Sequence, residues 1–174
     1  FNEVNKPVFG RILWVGNDPF RKGLTYLTQA FNRLNLEFPL LEIRVAGITD
    51  IDVINDPFFK EINFLGKLTK DDLMKEYLTA DLFVLPTISE GLVGAVIEAA
   101  AAGCPIITTV NSGVDEVLFP GLLCEPRNVD EIVHSIKSLI DDRSKRNKMS
   151  KDMISYAKMF STDNYQSRII ELFN

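Results

Sequence analysis

The chain has 174 residues, 46% of them hydrophobic and 25% charged, with a formal net charge of −5. That is enough for one core burying roughly 70% of the unfolded chain's surface, and too little for two ordinary domains. The acidic balance argues against a general nucleic-acid binder, and no apolar run approaches the ~20 residues of a membrane span. Two Cys and one His cannot form an ordinary closed zinc site without several carboxylates, and 12 Phe argue against disorder. The chain starts at Phe1 with no basic segment leading into an apolar one. A piece of a longer protein without a visible secretory signal is the expectation.

In chain order, residues 11–15 form a short apolar run ending at Gly16, and Asn17-Asp18-Pro19 reads as a turn. Residues 23–34 read as a helix, with Leu24, Leu27, Ala30, Phe31 and Leu34 on one face. A second strand covers 41–46. Residues 48–59 lack periodicity and read as a loop with at most one short helical turn. A third strand covers 62–65, and Thr69 caps a helix over 70–78. A fourth strand, 82–85, leads to a small-residue helix over 94–102 and a fifth strand over 106–109. Residues 115–118 suggest a helical turn, and 122–124 a short sixth strand. Asn128 or Asp130 caps a helix ending at 140, followed by helices over 143–160 and 162–173. Short apolar strands alternating with helices predict an α/β, doubly wound parallel sheet in three Rossmann-like layers, spanning residues 1–174 as one domain. Such sheets bind ligands at the carboxyl ends of their strands, so the loops after Val15, Ala46, Leu65, Leu85 and Thr109 are the ones to search.

The loop 16–23 is neither a Walker A loop nor a G-x-G-x-x-G turn. Lys22 stands just before a helix, where amides and the helix dipole favour anions. It reads either as a phosphate ligand or as a solvated lysine. In the loop after the fourth strand, Gly91 and Gly94 let the backbone turn closely enough to offer amides to a phosphate. Glu90 and Glu98 are odd ligands for an anion. They suit hydroxyl donors such as a sugar or ribose, with a helix-start charge and a solvated helix Glu as the plainer alternative. Thr108, Thr109, Asn111, Ser112, Gly113 and Glu116 either line the same cleft or serve their local backbone.

Other groups carry less. His134, the sole His, reads as a helix residue remote from these loops. Asp50 and Asp52 have a metal-like spacing in an aperiodic segment. Lys145, Arg146, Lys148 and Lys151 read as a solvated helix face, with a lipid-phosphate contact as the alternative. Cys104 and Cys124 read as buried thiols or as a disulfide pair.

Several pieces, in order, carry a family resemblance: Val15-Gly16 with Lys22-Gly23, then Leu82-Phe83-Val84-Leu85-Pro86. Glu90-Gly91, Glu98-Ala99 and Gly103-Cys104-Pro105 follow, then Ser112-Gly113 to Glu116, Gly121-Leu122-Leu123 and Phe160-Ser161. Over nearly its whole length the chain resembles the C-terminal, nucleotide-sugar-binding domain of the group 1 glycosyltransferases, retaining enzymes with the two-domain B-type fold. The resemblance implies Lys22 on the donor diphosphate and Glu90 on hydroxyls of the transferred sugar, as the catalytic pair. It implies Glu98 on the ribose, amides around Val93 and Gly94 on phosphate, Gly16 and Asn17 beside the donor, and residues 65–68, ending at Leu68, by the nucleobase. It further implies hexosyl transfer from a nucleoside diphosphate sugar to a hydroxyl acceptor in polysaccharide or glycoconjugate synthesis, with no metal and no cofactor. The expected partners are an N-terminal acceptor domain outside this chain and a sugar or lipid-linked acceptor held by it, and not nucleic acid. The expected place is the cytoplasm, at the inner face of a membrane if a peripheral contact forms. The fragment alone is expected to bind donor but turn over little acceptor.

The chain departs from the family pattern at Asn17, where Arg is common, leaving a weaker diphosphate grip or a substitution by Arg21. Leu92-Val93 follow Glu90-Gly91, with the next glycine displaced to 94. The competing readings are a nonenzymatic nucleotide- or sugar-binding Rossmann-like domain, a nucleotide-sugar epimerase and a purely structural domain.

Overall fold

A computed structural model describes residues 6–91, 94–114 and 118–160. The short apolar runs become six strands: β1 (Arg11–Val15), β2 (Glu42–Ala46), β3 (Asn63–Gly66), β4 (Leu82–Leu85), β5 (Ile106–Thr109) and β6 (Leu122–Cys124). Between them run α1 (Leu24–Leu34), α2 (Ile51–Ile54), α3 (Lys70–Thr79), α4 (Gly94–Ala101), α5 (Val129–Ile140) and α6 (Arg143–Ala157). The strands are parallel in the order β3-β2-β1-β4-β5-β6. This is the expected doubly wound α/β fold. β4 and β5 are buried at every position, as a sheet covered on both faces requires. α1 packs on α5 and α4 packs on α6, supplying those covers.

The strand order reverses direction between β1 and β4. Chain leaving β1 turns toward β2, and chain leaving β4 turns toward β5. The loops after these two strands therefore flank a crevice at the sheet's carboxyl edge.

Local signals explain most boundaries. α1 buries the five apolar residues of its predicted face. Thr69 accepts from the Asp72 amide and caps α3. Asn128, rather than Asp130, caps α5 by accepting from the Glu131 amide. The segment 48–59 is more ordered than a loop. Asp50 caps α2 and Asp56 caps a 3-10 turn, Pro57–Phe59, whose Phe59 is buried. Two side-chain caps six residues apart make helices too short to show periodicity. The helix expected over 143–160 is α6 followed by a 3-10 turn, Lys158–Phe160.

The basic cluster on α6 is not uniformly solvated. Arg146 is buried, pairs with Asp81 at 3.2 Å, and donates to the carbonyls of Leu139 and Ile140 at the end of α5. It ties α5 to the start of β4 and is removed from any solvent-facing basic patch. Cys104 and Cys124 are both buried and free. The turn expected over 115–118 falls largely outside the described residues, as do the helix expected over 162–173, Val93 and Glu116. Among the described residues, no helix is long and apolar enough to cross a membrane.

Candidate functional site

The β1 loop is shaped by what cannot fit in it. A Cβ at Gly16 would lie 2.3 Å from Lys22 Cδ and 2.9 Å from the Trp14 ring, so Lys22 lies back across a bare backbone. Buried Trp14 donates its indole N–H to the Lys22 carbonyl at 3.1 Å, which fixes the residue from below. Gly23 has φ +72, and a Cβ there would meet the Pro86 carbonyl oxygen at 1.9 Å. The loop after β1 is thus pressed against the chain leaving β4, with glycine required at the contact.

Hydrogen bonds then join the two loops. The Arg21 carbonyl accepts from the Ile88 amide at 2.8 Å and from the Thr87 hydroxyl at 3.1 Å. From the other side, Asn111 donates its side-chain amide to the Ile88 carbonyl at 2.9 Å, and its own carbonyl accepts from the Glu90 amide at 3.0 Å. Residues 87–90 are held between the β1 and β5 loops.

This clamp delivers Glu90 to the β1 cations. Its Oε1 lies 3.1 Å from Lys22 Nζ and 2.6 Å from Arg21 Nη1, and Arg21 also reaches Asp18 at 3.3 Å. Oε1 is sealed from solvent between the two cations. Burial works against the charged form of Glu90. Lys22 and Arg21 together outweigh it, and the carboxyl titrates below its ordinary value. Arg21, the candidate replacement for a cation at Asn17, is spent on Asp18 and Glu90, while Asn17 is exposed.

Gly94 opens α4, four positions after Glu90 in the chain. Among the described residues, chain neighbours and helix backbone aside, no atom lies within 4 Å of the position a Cβ would take at Gly91 or at Gly94. Unlike Gly16 and Gly23, these glycines are not demanded by packing among the described residues. Glu98, further along α4, is exposed and accepts a hydrogen bond from the Tyr77 hydroxyl at 3.0 Å. The chain leaving β3 approaches along the same edge, with Gly47 N–H donating to the Gly66 carbonyl at 2.8 Å and Leu68 half-buried just beyond.

Lys22 and Glu90, far apart in sequence, thus meet. The polar residues after β5 divide. Thr108, Thr109 and Ser112 are fully buried, with hydroxyls spent on the carbonyls of Leu85, Thr87 and Thr109. They serve the backbone and do not line a cleft, whereas Asn111 positions the Glu90 loop. His134 is exposed on α5. Asp50 acts as a helix cap. Sequence reasoning missed Trp14 and Tyr77 as supports. Both rings are buried, and only their polar tips carry the information.

A cavity of about 410 Å³ lies at the opposite, amino end of the sheet, lined by Phe9, Asp81, Arg143, Arg146, Asn147 and Ser150 among others. Its central ion pair is the structural staple between α5 and β4.

Residues 5–158 match the model of the family described as glycosyl transferases group 1. The chain belongs to that family. It is 30% identical over 175 residues to the O-antigen chain mannosyltransferase B of Escherichia coli, covering 94% of this chain and 45% of that protein. It also superposes on the Anabaena protein HepE, crystallised in complex with UDP-glucose, with a TM-score of 0.79 at 17% identity, covering 95% of this chain and 48% of that one. The C-terminal domain of the Francisella tularensis group 1 protein LpcC gives a TM-score of 0.72 at 20% identity, covering 90% of this chain and 95% of that domain. The chain spans about half the length, or less, of the curated relatives it matches.

Proposed function

We propose that this chain is the donor-binding half of a retaining glycosyltransferase. It binds a nucleoside diphosphate sugar at the carboxyl edge of β1 and β4, and the sugar passes to a hydroxyl acceptor in polysaccharide or glycoconjugate synthesis. The observation that carries this reading is the meeting of Lys22 and Glu90 at 3.1 Å, across the loops that follow β1 and β4, in a family of glycosyltransferases.

The chemistry follows from the charges. As the bond from the anomeric carbon to the diphosphate breaks, negative charge grows on the leaving diphosphate. Lys22 and the amides opening α4 stabilise that charge more in the transition state than in the ground state. Lys22 turns from Glu90 toward phosphate to do so. Glu90 is then freed to accept hydrogen bonds from hydroxyls of the departing sugar, and Arg21 stays to balance it. Glu98 accepts from the ribose hydroxyls, and the 65–68 segment lies by the base. The reaction so written uses no resident metal or cofactor. An N-terminal domain of the same polypeptide supplies the acceptor side, and the whole works in the cytoplasm, at the inner face of a membrane for a lipid-linked acceptor.

Calorimetric titration with UDP, GDP and ADP, and with their sugars, tests the reading. One of these nucleotides should bind, and Lys22→Ala should weaken it about tenfold or more, the worth of one charge-assisted contact. A folded protein that binds none of them contradicts the proposal, as does robust transfer by this chain without an acceptor domain.

A further inference from the structure

Tyr77 is the one aromatic of α3 whose whole body is buried, at 1% exposure, while its hydroxyl reaches out of the core to a carboxylate on another helix. Its ring lies against Phe83 of β4, with centroids 5.8 Å apart. Its own carbonyl accepts from the buried Cys104 thiol at 2.9 Å. Burial raises that thiol to about 12, so it remains a donor. The phenol is also raised, first by burial and then by the charge of Glu98, so it too keeps its proton. The aromatic ring is therefore fixed by core packing at one end and donates at the other.

Packing alone does not require that hydroxyl. Phe fills the same volume without burying an oxygen, and a buried phenol oxygen needs a partner. The partner here is an exposed helix side chain, which would otherwise sample several rotamers. The bond falls on Oε2 alone and leaves Oε1 for a ligand. We infer that Tyr77 is a positioning residue for nucleotide recognition, holding the Glu98 carboxylate in one rotamer so that its other oxygen receives the ribose hydroxyls. The inference rests on the proposed role of Glu98 and adds a residue, buried behind the site, that acts only through it.

The test is Tyr77→Phe, which removes one oxygen and keeps the ring. Affinities are measured for the nucleoside diphosphate that the protein binds among UDP, GDP and ADP, and for its 2′,3′-dideoxy counterpart. Tyr77→Phe should weaken the ribonucleotide by roughly three- to tenfold, the range of one hydrogen bond, and leave the dideoxynucleotide unchanged. In Glu98→Ala, the further change Tyr77→Phe should have no effect on affinity, because its only route to the ligand is gone. Equal weakening of both nucleotides would show a packing role and overturn the inference. So would an unchanged ribonucleotide affinity in Tyr77→Phe while Glu98→Ala weakens binding, and that result would leave the proposed donor site standing. If Glu98→Ala itself leaves ribonucleotide affinity unchanged, the assignment of Glu98 falls and the inference falls with it.

Discussion

At the amino ends of the strands, Arg146 and Asp81 have side chains 9% and 10% exposed. At the carboxyl ends, Lys22 and Glu90 have side chains 13% and 16% exposed. The two pairs have similar burial and similar charge, and they differ in what else they hold. Arg146 donates to two carbonyls at the end of α5, and Asp81 accepts from the Gly10 amide at 3.1 Å. Their hydrogen-bonding capacity goes into the fold. Glu90 Oε1 is sealed off between two cations, and the helix that follows opens on Gly94, which no packing among the described residues requires. The amino-end pair is tied into main-chain hydrogen bonds of β1's approach and α5, whereas Lys22 and Arg21 hold the Glu90 side chain by charge alone.

The largest expected effect breaks the amino-end pair. Arg146→Ala strands Asp81 and two helix-end carbonyls, and should cost about 3–5 kcal/mol in denaturant unfolding. Nucleotide affinity per folded molecule should not change. A variant of wild-type stability would mean that this end is not the staple described.

Two glycines sharpen the contrast. Gly23→Ala combines positive φ with a 1.9 Å approach to the Pro86 carbonyl, and should cost about 2–4 kcal/mol while loosening the Glu90 loop. Gly94→Ala meets no atom of the described residues beyond its own chain neighbours and helix backbone, and should leave stability within about 1 kcal/mol. It should nevertheless weaken nucleotide binding by intruding where phosphate is proposed to sit. Parallel unfolding curves and titrations separate the two, and equal behaviour of the two variants would erase the distinction.

The smallest effect is electrostatic. The Glu90 carboxyl titrates below its ordinary value, so its charge stabilises the fold above that value and the contribution is lost as pH falls through the lowered one. In Glu90→Gln, the stability difference from wild type should therefore shrink as pH drops below about 4.5, the ordinary Glu value. A difference that stays constant from neutral pH down to pH 3 would show that the cations do not hold this carboxylate.

The sheet was legible because continuous apolar runs such as 82–85 have few other uses, and the helices because Thr69 and Asn128 announce their starts. Lys22 and Glu90 were legible as pieces of an ordered pattern, and the structure brings the two together. The clamp around them was not. Arg21 and Asn111 act through main-chain carbonyls, whose partners depend on loop contacts that no local pattern encodes. Trp14 and Tyr77 fill apolar positions, and the pattern records their rings but not the direction of their polar tips. Arg146 misled because burial of one cation in a basic run is decided by the facing Asp81, 65 positions away in the chain.

The central claim is that the carboxyl edge is the ligand end of this sheet. Backbone amide shifts, recorded in 15N–1H spectra on titration with UDP, GDP and ADP, test it most directly. The account predicts saturable shifts for one nucleotide at Gly16, Lys22, Gly23, Glu90 and Gly94, with Phe9, Gly103 and Arg146 unmoved. Shifts confined to that second group would place the ligand at the amino end and contradict it.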